Sequence, residues 1–168
     1  VIVAIGMDPG PTPGFVKLTY SEQRLIDVAV IQCSFNQALD VLNMWLRPLH
    51  EANRSRSLAR SGRNELYFQG EKFVISQGSY RTGSPGARTR ELAGSAETLA
   101  VTAGCVVSMR DASTAKAWAT NARLEAAGVY DATVGMTHAR DAARHALYTA
   151  CKDAQIPDPL SRKAKRRA

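Results

Sequence analysis

The chain has 168 residues, of which 45% are apolar and 22% charged, with a formal net charge of +7. That length suits one domain with a core of its own, and the composition is that of a soluble globular chain rather than a disordered one. Five basic residues (Arg162, Lys163, Lys165, Arg166 and Arg167) crowd the last seven positions, and setting them aside takes the body from +7 to a mild +2.

Residues 1–7 form a short, continuous apolar run ended by Asp8-Pro9-Gly10, the mark of a central strand meeting a tight turn. With no basic segment ahead of it, this run reads as a strand and not as a signal peptide. Residues 15–20 and 24–32 read as two more strands, and three strands on short connections suggest an antiparallel meander. From 35 to 51 the period changes: Ala38, Leu42, Trp45, Leu46 and Leu49 fall at helical spacing.

Residues 53–64 are polar and Arg-rich, a loop or the frayed end of that helix. A fourth strand is expected over 65–75. Its start, Glu65-Leu66-Tyr67-Phe68-Gln69-Gly70, nearly spells a processing-protease site, but it suits the strand that carries Glu71 and is read as native. The Gly- and Ser-rich stretch 76–90 reads as a mobile loop. Then come a helix (91–103), a strand (105–109), a helix (113–127) and a last helix (137–155). The order β-β-β-α-β-α-β-α-α predicts a mixed sheet flanked by helices. Residues 1–156 form the expected domain, and 157–168 a basic, disordered tail.

No apolar run reaches the ~18 residues of a membrane span. Cys33, Cys105 and Cys151 lack C-x-x-C spacing, which argues against a disulfide framework or a zinc site and for buried or half-buried thiols in a reducing compartment, the cytoplasm.

Four residues carry the chemistry. Asp8 ends a buried strand whose same-face neighbours, Ala4 and Gly6, are small enough to admit a ligand or another backbone; its plain alternative is a turn-forming Asp that bonds its own backbone. Glu71 sits in an apolar strand, where Glu is depleted and costly to bury unpaired, unless it lies on a solvated edge. On the last helix, His138, Asp141, His145 and Tyr148 fall within an arc of about 80°. Ala139, Ala142, Ala146 and Ala150 make a smooth neighbouring face, while Arg140 and Arg144 are expected to point away. The alternative is a helix with a polar edge, capped by Thr137. Three carboxylates and one imidazole aimed at one spot make a divalent-metal site suited to phosphodiester chemistry. Arg81, Arg88 and Arg90 beside Tyr80 offer phosphate donors and a stacking ring. Lys116 is expected in the first turn of its helix, where it meets a phosphate.

Taken together, the Ile5-Gly6-Met7-Asp8-Pro9-Gly10 opening, Glu71-Lys72-Phe73, Lys116-Ala117-Trp118 and His138-Ala139-Arg140-Asp141-Ala142 resemble the RuvC-like Holliday junction resolvases, especially their bacteriophage branch, over about residues 1–152. The resemblance implies an RNase H-like α/β fold: a five-stranded mixed sheet, its first three strands antiparallel, flanked by helices. It implies a homodimer that cuts opposed strands of a four-way junction by two-metal hydrolysis, leaving 5′-phosphate and 3′-hydroxyl ends. Asp8, Glu71 and Asp141 would be the metal carboxylates, with His138 where many relatives have a further Asp. The cofactor would be two Mg²⁺ ions, with Mn²⁺ as a substitute, and the 76–90 segment would touch the junction. Other readings are an RNase H-like nuclease acting on other branched DNA or on RNA–DNA hybrids, and a non-catalytic junction binder. An actin-like ATPase would need two lobes, for which 168 residues are too few. The basic tail would hold duplex arms by counterion release.

Overall fold

The computed structural model describes residues 1–58, 64–72 and 85–161. Five strands, β1 (Ile2–Asp8), β2 (Gly14–Ser21), β3 (Arg24–Gln32), β4 (Glu65–Glu71) and β5 (Val106–Arg110), form one sheet in the order β3-β2-β1-β4-β5. The first three strands are antiparallel neighbours, and β4 and β5 add parallel to β1. This is the expected mixed sheet. The segment resembling a protease site is β4, a central strand with Leu66 and Phe68 in the core.

Strand alternation sorts the sheet into two faces. Val3, Ile5 and Met7 of β1, with Phe15, Leu66 and Phe68, pack on one face against Leu42, Trp45 and Leu46 of α1 (Ala38–Leu58) and Leu92 and Ala96 of α2 (Pro85–Thr102). Burying a side chain the size of Phe68 stabilises the fold by about 1.5–3 kcal/mol. Ala4, Val16, Leu18 and Tyr20 face the other way, against Ala142, Ala143, Ala146 and Leu147 of α5 (Thr137–Lys152). Register sets Ala4 beside Leu18 and Tyr67, Gly6 beside Val16 and Gln69, and Asp8 beside Gly14. Asp8, Gln69 and Glu71 therefore share the face that α5 covers.

Gly6 explains how closely α5 lies. A methyl there would overlap the Ala142 carbonyl and the Ala146 amide, so strand and helix meet backbone to backbone. A methyl at Gly14 would likewise strike the main chain of His138 and Ala139. The alanine face of α5 is what makes this approach possible.

Several expected boundaries move. The first helix runs to Leu58, past Pro48, and includes polar residues expected in a loop. The 76–90 stretch is not a loop at its end: α2 starts at Pro85, whose fixed φ suits a first helical position. The helix expected over 113–127 is two, α3 (Ala112–Trp118) and α4 (Asn121–Ala126). Side chains satisfy the break: Arg123 donates to the Trp118 carbonyl at 2.8 Å and Arg144 to that of Ala119 at 3.2 Å. β4 stops at Glu71, one residue short of the last described position of its expected span, and 73–75 lie outside the described residues.

The expected tail begins against the body. Ile156 is buried, and the Arg123 guanidinium holds the Asp158 carboxylate at 3.2 Å, keeping its pKa below the ordinary value against the opposing effect of burial. Residues 162–168, with all five tail cations, lie outside the described residues. The three cysteines are half-buried and unpaired. Among the described residues, no helix is long and apolar enough to cross a membrane.

Candidate functional site

Asp8 ends β1 and Glu71 ends its parallel neighbour β4, so both carboxylates stand at the C-terminal edge of the parallel strands, on the α5 side. Ligands of open α/β sheets gather at that edge. The first turns of α5 bring His138 and Asp141 over the same place. Gln32, at the end of β3, anchors this helix start: its side-chain oxygen accepts from the His138 and Ala139 amides at 3.2 and 3.3 Å. The expected Thr137 cap is therefore a Gln supplied from another strand, a partner that no local pattern reveals.

Asp8 closes its own turn and also reaches across to α5. One oxygen accepts from the Gly10 amide at 3.2 Å, closing the turn, and the other lies 2.8 Å from His138 Nδ1. Burial raises the Asp8 pKa above its ordinary 3.8. The His138 hydrogen bond opposes the rise, and the Glu71 and Asp141 carboxylates add to it. Asp8 thus feels both carboxylates, although they lie 63 and 133 positions away in the sequence. The His138 ring packs over Gly10, where a Cβ would lie 2.6 Å from Cε1.

Asp141 is held from two sides. Lys116 Nζ reaches one oxygen at 2.8 Å, and Arg144 pairs with the other from the next turn of α5. Arg144 therefore does not point away as expected; it links Asp141 to Ala119 and to Asn121. Arg140 stacks on Tyr130 at 4.4 Å. Lys116 lies in the last turn of the short α3, not in its first, so a helix N-terminus has no part in its chemistry. Burial opposes its charge, but the bond to Asp141 and the fields of Asp141, Glu71 and Asp8 outweigh that and raise its pKa.

Two polar residues that sequence reasoning left without a role lie beneath this cluster. Gln69 and His145 are fully buried, with the Gln69 amide nitrogen 2.9 Å from His145 Nδ1. His145 Nε2 faces a Glu71 oxygen at 3.8 Å. The arc shared by His138, Asp141 and His145 was the signal for this, since it placed His145 on the same side of α5 as the acids.

Asp8, Glu71, His138 and Asp141 are thus brought to one edge of the sheet, but not as a ready cage. Among the described residues, no three His, Cys, Asp or Glu side chains are grouped closely enough to hold a metal as they stand. Two of the three carboxylates are already engaged, Asp8 with His138 and Asp141 with Lys116 and Arg144. The donors themselves, carboxylate oxygens and one imidazole, are of the kind that hard divalent cations take, and a cation beside Asp8 would relieve the electrostatic burden that its raised pKa expresses.

Of the expected DNA contacts, Arg88 and Arg90 are exposed on α2, and Arg88 lies over the Phe35 ring at 4.6 Å and near Asn36. Tyr80 and Arg81 lie outside the described residues, as do Arg162, Lys163, Lys165, Arg166 and Arg167.

No family model matches the chain, and no curated protein sequence matches it either. Among solved structures, the chain is similar to Thermus thermophilus RuvC in complex with a Holliday junction substrate. Identity is 18%, the alignment covers 92% of this chain and 96% of that one, and the TM-score is 0.51. A second Thermus thermophilus RuvC structure aligns at 18% identity over 94% and 99% of the two chains, with a TM-score of 0.49. The chain has the RNase H-like fold of RuvC, as its sequence predicts.

Proposed function

We propose that this protein is a structure-selective endonuclease that cuts branched DNA, above all four-way junctions, by metal-assisted phosphodiester hydrolysis. The observation that carries the reading is the meeting of Asp8, Glu71 and Asp141, from two parallel strand ends and a helix start, at one sheet edge. A fold shared with RuvC over nine-tenths of both chains supports it. One RuvC structure contains a Holliday junction substrate, which makes the same class of DNA the first substrate to try.

In this reading Asp8, Glu71, Asp141 and His138 would hold divalent cations, magnesium or manganese, which when bound would supply Lewis acidity for phosphodiester hydrolysis. His138 orients the Asp8 carboxylate. Lys116 and Arg144 hold Asp141 and exchange that partner for a phosphate oxygen when DNA enters, as charge-assisted donors to phosphate do. Arg88 and Arg90, with the basic 162–167 segment, steer and hold the polyanion. Cleavage leaves 5′-phosphate and 3′-hydroxyl ends, and paired cuts require two copies of the chain in a homodimer acting in the cytoplasm.

The test is cleavage of a labelled four-way junction with Mg²⁺, alongside flap, duplex and RNA–DNA hybrid substrates. Preferential Mg²⁺-dependent cutting of the junction supports the proposal. Equal cutting of hybrids points instead to a general RNase H-like nuclease. A second reading, junction binding without cleavage, draws on the ion pairs that occupy Asp141. Binding with no cutting in Mg²⁺ or Mn²⁺ would establish it.

A further inference from the structure

The strand–helix interface beneath the site is largely apolar, yet one polar pair crosses it. Around Gly6 it consists of alanines, Leu147 and main chain, yet Gln69 and His145 stand there with no exposure. Buried polar groups are normally satisfied in full. Among the described residues the pair makes one bond, Gln69 Nε2 to His145 Nδ1 at 2.9 Å, while Gln69 Oε1 and His145 Nε2 have no hydrogen-bond partner. Two leucines would fill this space without that penalty.

The geometry shows where the unspent donor points. An amide N–H donating to Nδ1 makes Nδ1 the acceptor, so the ring hydrogen of the neutral imidazole sits on Nε2. The ring nitrogen that carries it, Nε2, lies 3.8 Å from Glu71 Oε2. A carboxylate accepts only, so it favours this same tautomer. Gln69 and Glu71 lie two residues apart on one face of β4, and His145 lies one helical turn beyond Asp141. The three side chains therefore run in line from the buried interface to the site edge.

We infer that Gln69 and His145 are positioning residues that aim Glu71. Gln69 fixes the ring, and the ring offers its Nε2–H to one Glu71 oxygen, which closes the gap by a small side-chain rotation. The other oxygen is then turned toward Asp8 and the α5 acids. This deepens the nuclease reading and rests on it for the role of Glu71. Partners that orient ligands in this way typically alter metal affinity or activity 10–100-fold when removed.

Two measurements decide the matter. The Gln69→Leu/His145→Leu double variant removes both polar groups together, so neither is left buried without the other. Its Tm is expected to equal or exceed that of the parent, while Mn²⁺ binding, followed by the electron paramagnetic resonance of free Mn²⁺, weakens about 10–100-fold. Unchanged Mn²⁺ affinity, or a lowered Tm with affinity intact, would overturn the inference and leave the pair a packing feature. Independently, ¹⁵N imidazole spectra should find His145 protonated on Nε2, with that resonance moving in Glu71→Gln. A resonance that stays fixed, or a proton on Nδ1 instead, overturns it whether or not the double variant folds. If the parent protein binds no Mn²⁺, the nuclease reading fails, while the spectra still decide the His145–Glu71 contact.

Discussion

Asp8 and His138 stand 130 residues apart in the chain and meet with carboxylate and imidazole 2.8 Å apart. Asp8→Asn should therefore act in two separable ways. Cleavage is expected to fall below detection while junction binding stays equal or tightens, because a negative charge facing phosphates is gone. A variant that still cuts at the parental rate would remove Asp8 from the site.

The same substitution should raise stability, with a definite pH dependence. Burial and the neighbouring acids raise the folded-state pKa of Asp8 above its ordinary 3.8, so the folded protein binds this proton more tightly than the unfolded chain. The resulting penalty is absent below 3.8, grows as pH rises through the folded-state value, and is full at neutral pH. Asn avoids it. Thermal unfolding should give a higher Tm for Asp8→Asn at pH 7, with the gain shrinking as pH falls toward 3.8.

Lys116 behaves in the opposite sense. Its pKa is raised in the fold, so its contribution is fully present below the ordinary lysine value of 10.5 and is lost only as pH rises through the folded-state value. Lys116→Met should cost about 0.2–1 kcal/mol at pH 7, as screened ion pairs do. Cleavage should fall far more steeply, because Asp141 and the entering phosphate both lose a partner. Unfolding curves and single-turnover rates on one preparation compare the two effects directly.

Gly6→Ala tests how close α5 lies. The added methyl meets the Ala142 and Ala146 main chain, which cannot give way as a side-chain tip can. Overpacking of this kind costs about 3 kcal/mol or more, and Tm should drop by roughly 10 °C. Gly10→Ala instead meets the rim of the His138 ring, which can turn aside. It should keep most of its stability and lose activity.

Removal of residues 162–168 takes away five cations and spares the Arg123–Asp158 ion pair. Junction binding should weaken, and the slope of log Kd against log salt should flatten by up to ~0.9 for each phosphate that the tail had neutralised. An unchanged slope would leave the tail without a role in holding DNA.

The sheet, and the placing of the four candidate residues at one of its edges, were legible because they rest on strong local signals. The apolar run before Asp8-Pro9-Gly10 could only be a buried strand, and the His138–Asp141 spacing put both on one helical face. What local pattern could not reveal were partnerships across the fold. Gln32 caps α5 from 106 residues away, Arg144 turns inward to Asp141, and Gln69 finds His145. The α3–α4 break was hidden for the same reason: its freed carbonyls are satisfied by arginines that read as surface charges. Pro85 did mark the start of α2, but the surrounding Gly and Ser residues outweighed it.

The main-chain approach at Gly6 also governs what can move. No layer of side chains lies between β1 and α5 at that point, so the helix cannot slide or roll without driving peptide groups into one another. In the proposed reaction, rearrangements that free Asp141 must then be made by rotamers of Lys116 and Arg144 on a rigid chassis. Helix registry stays fixed, and the working parts of this protein are its side-chain tips.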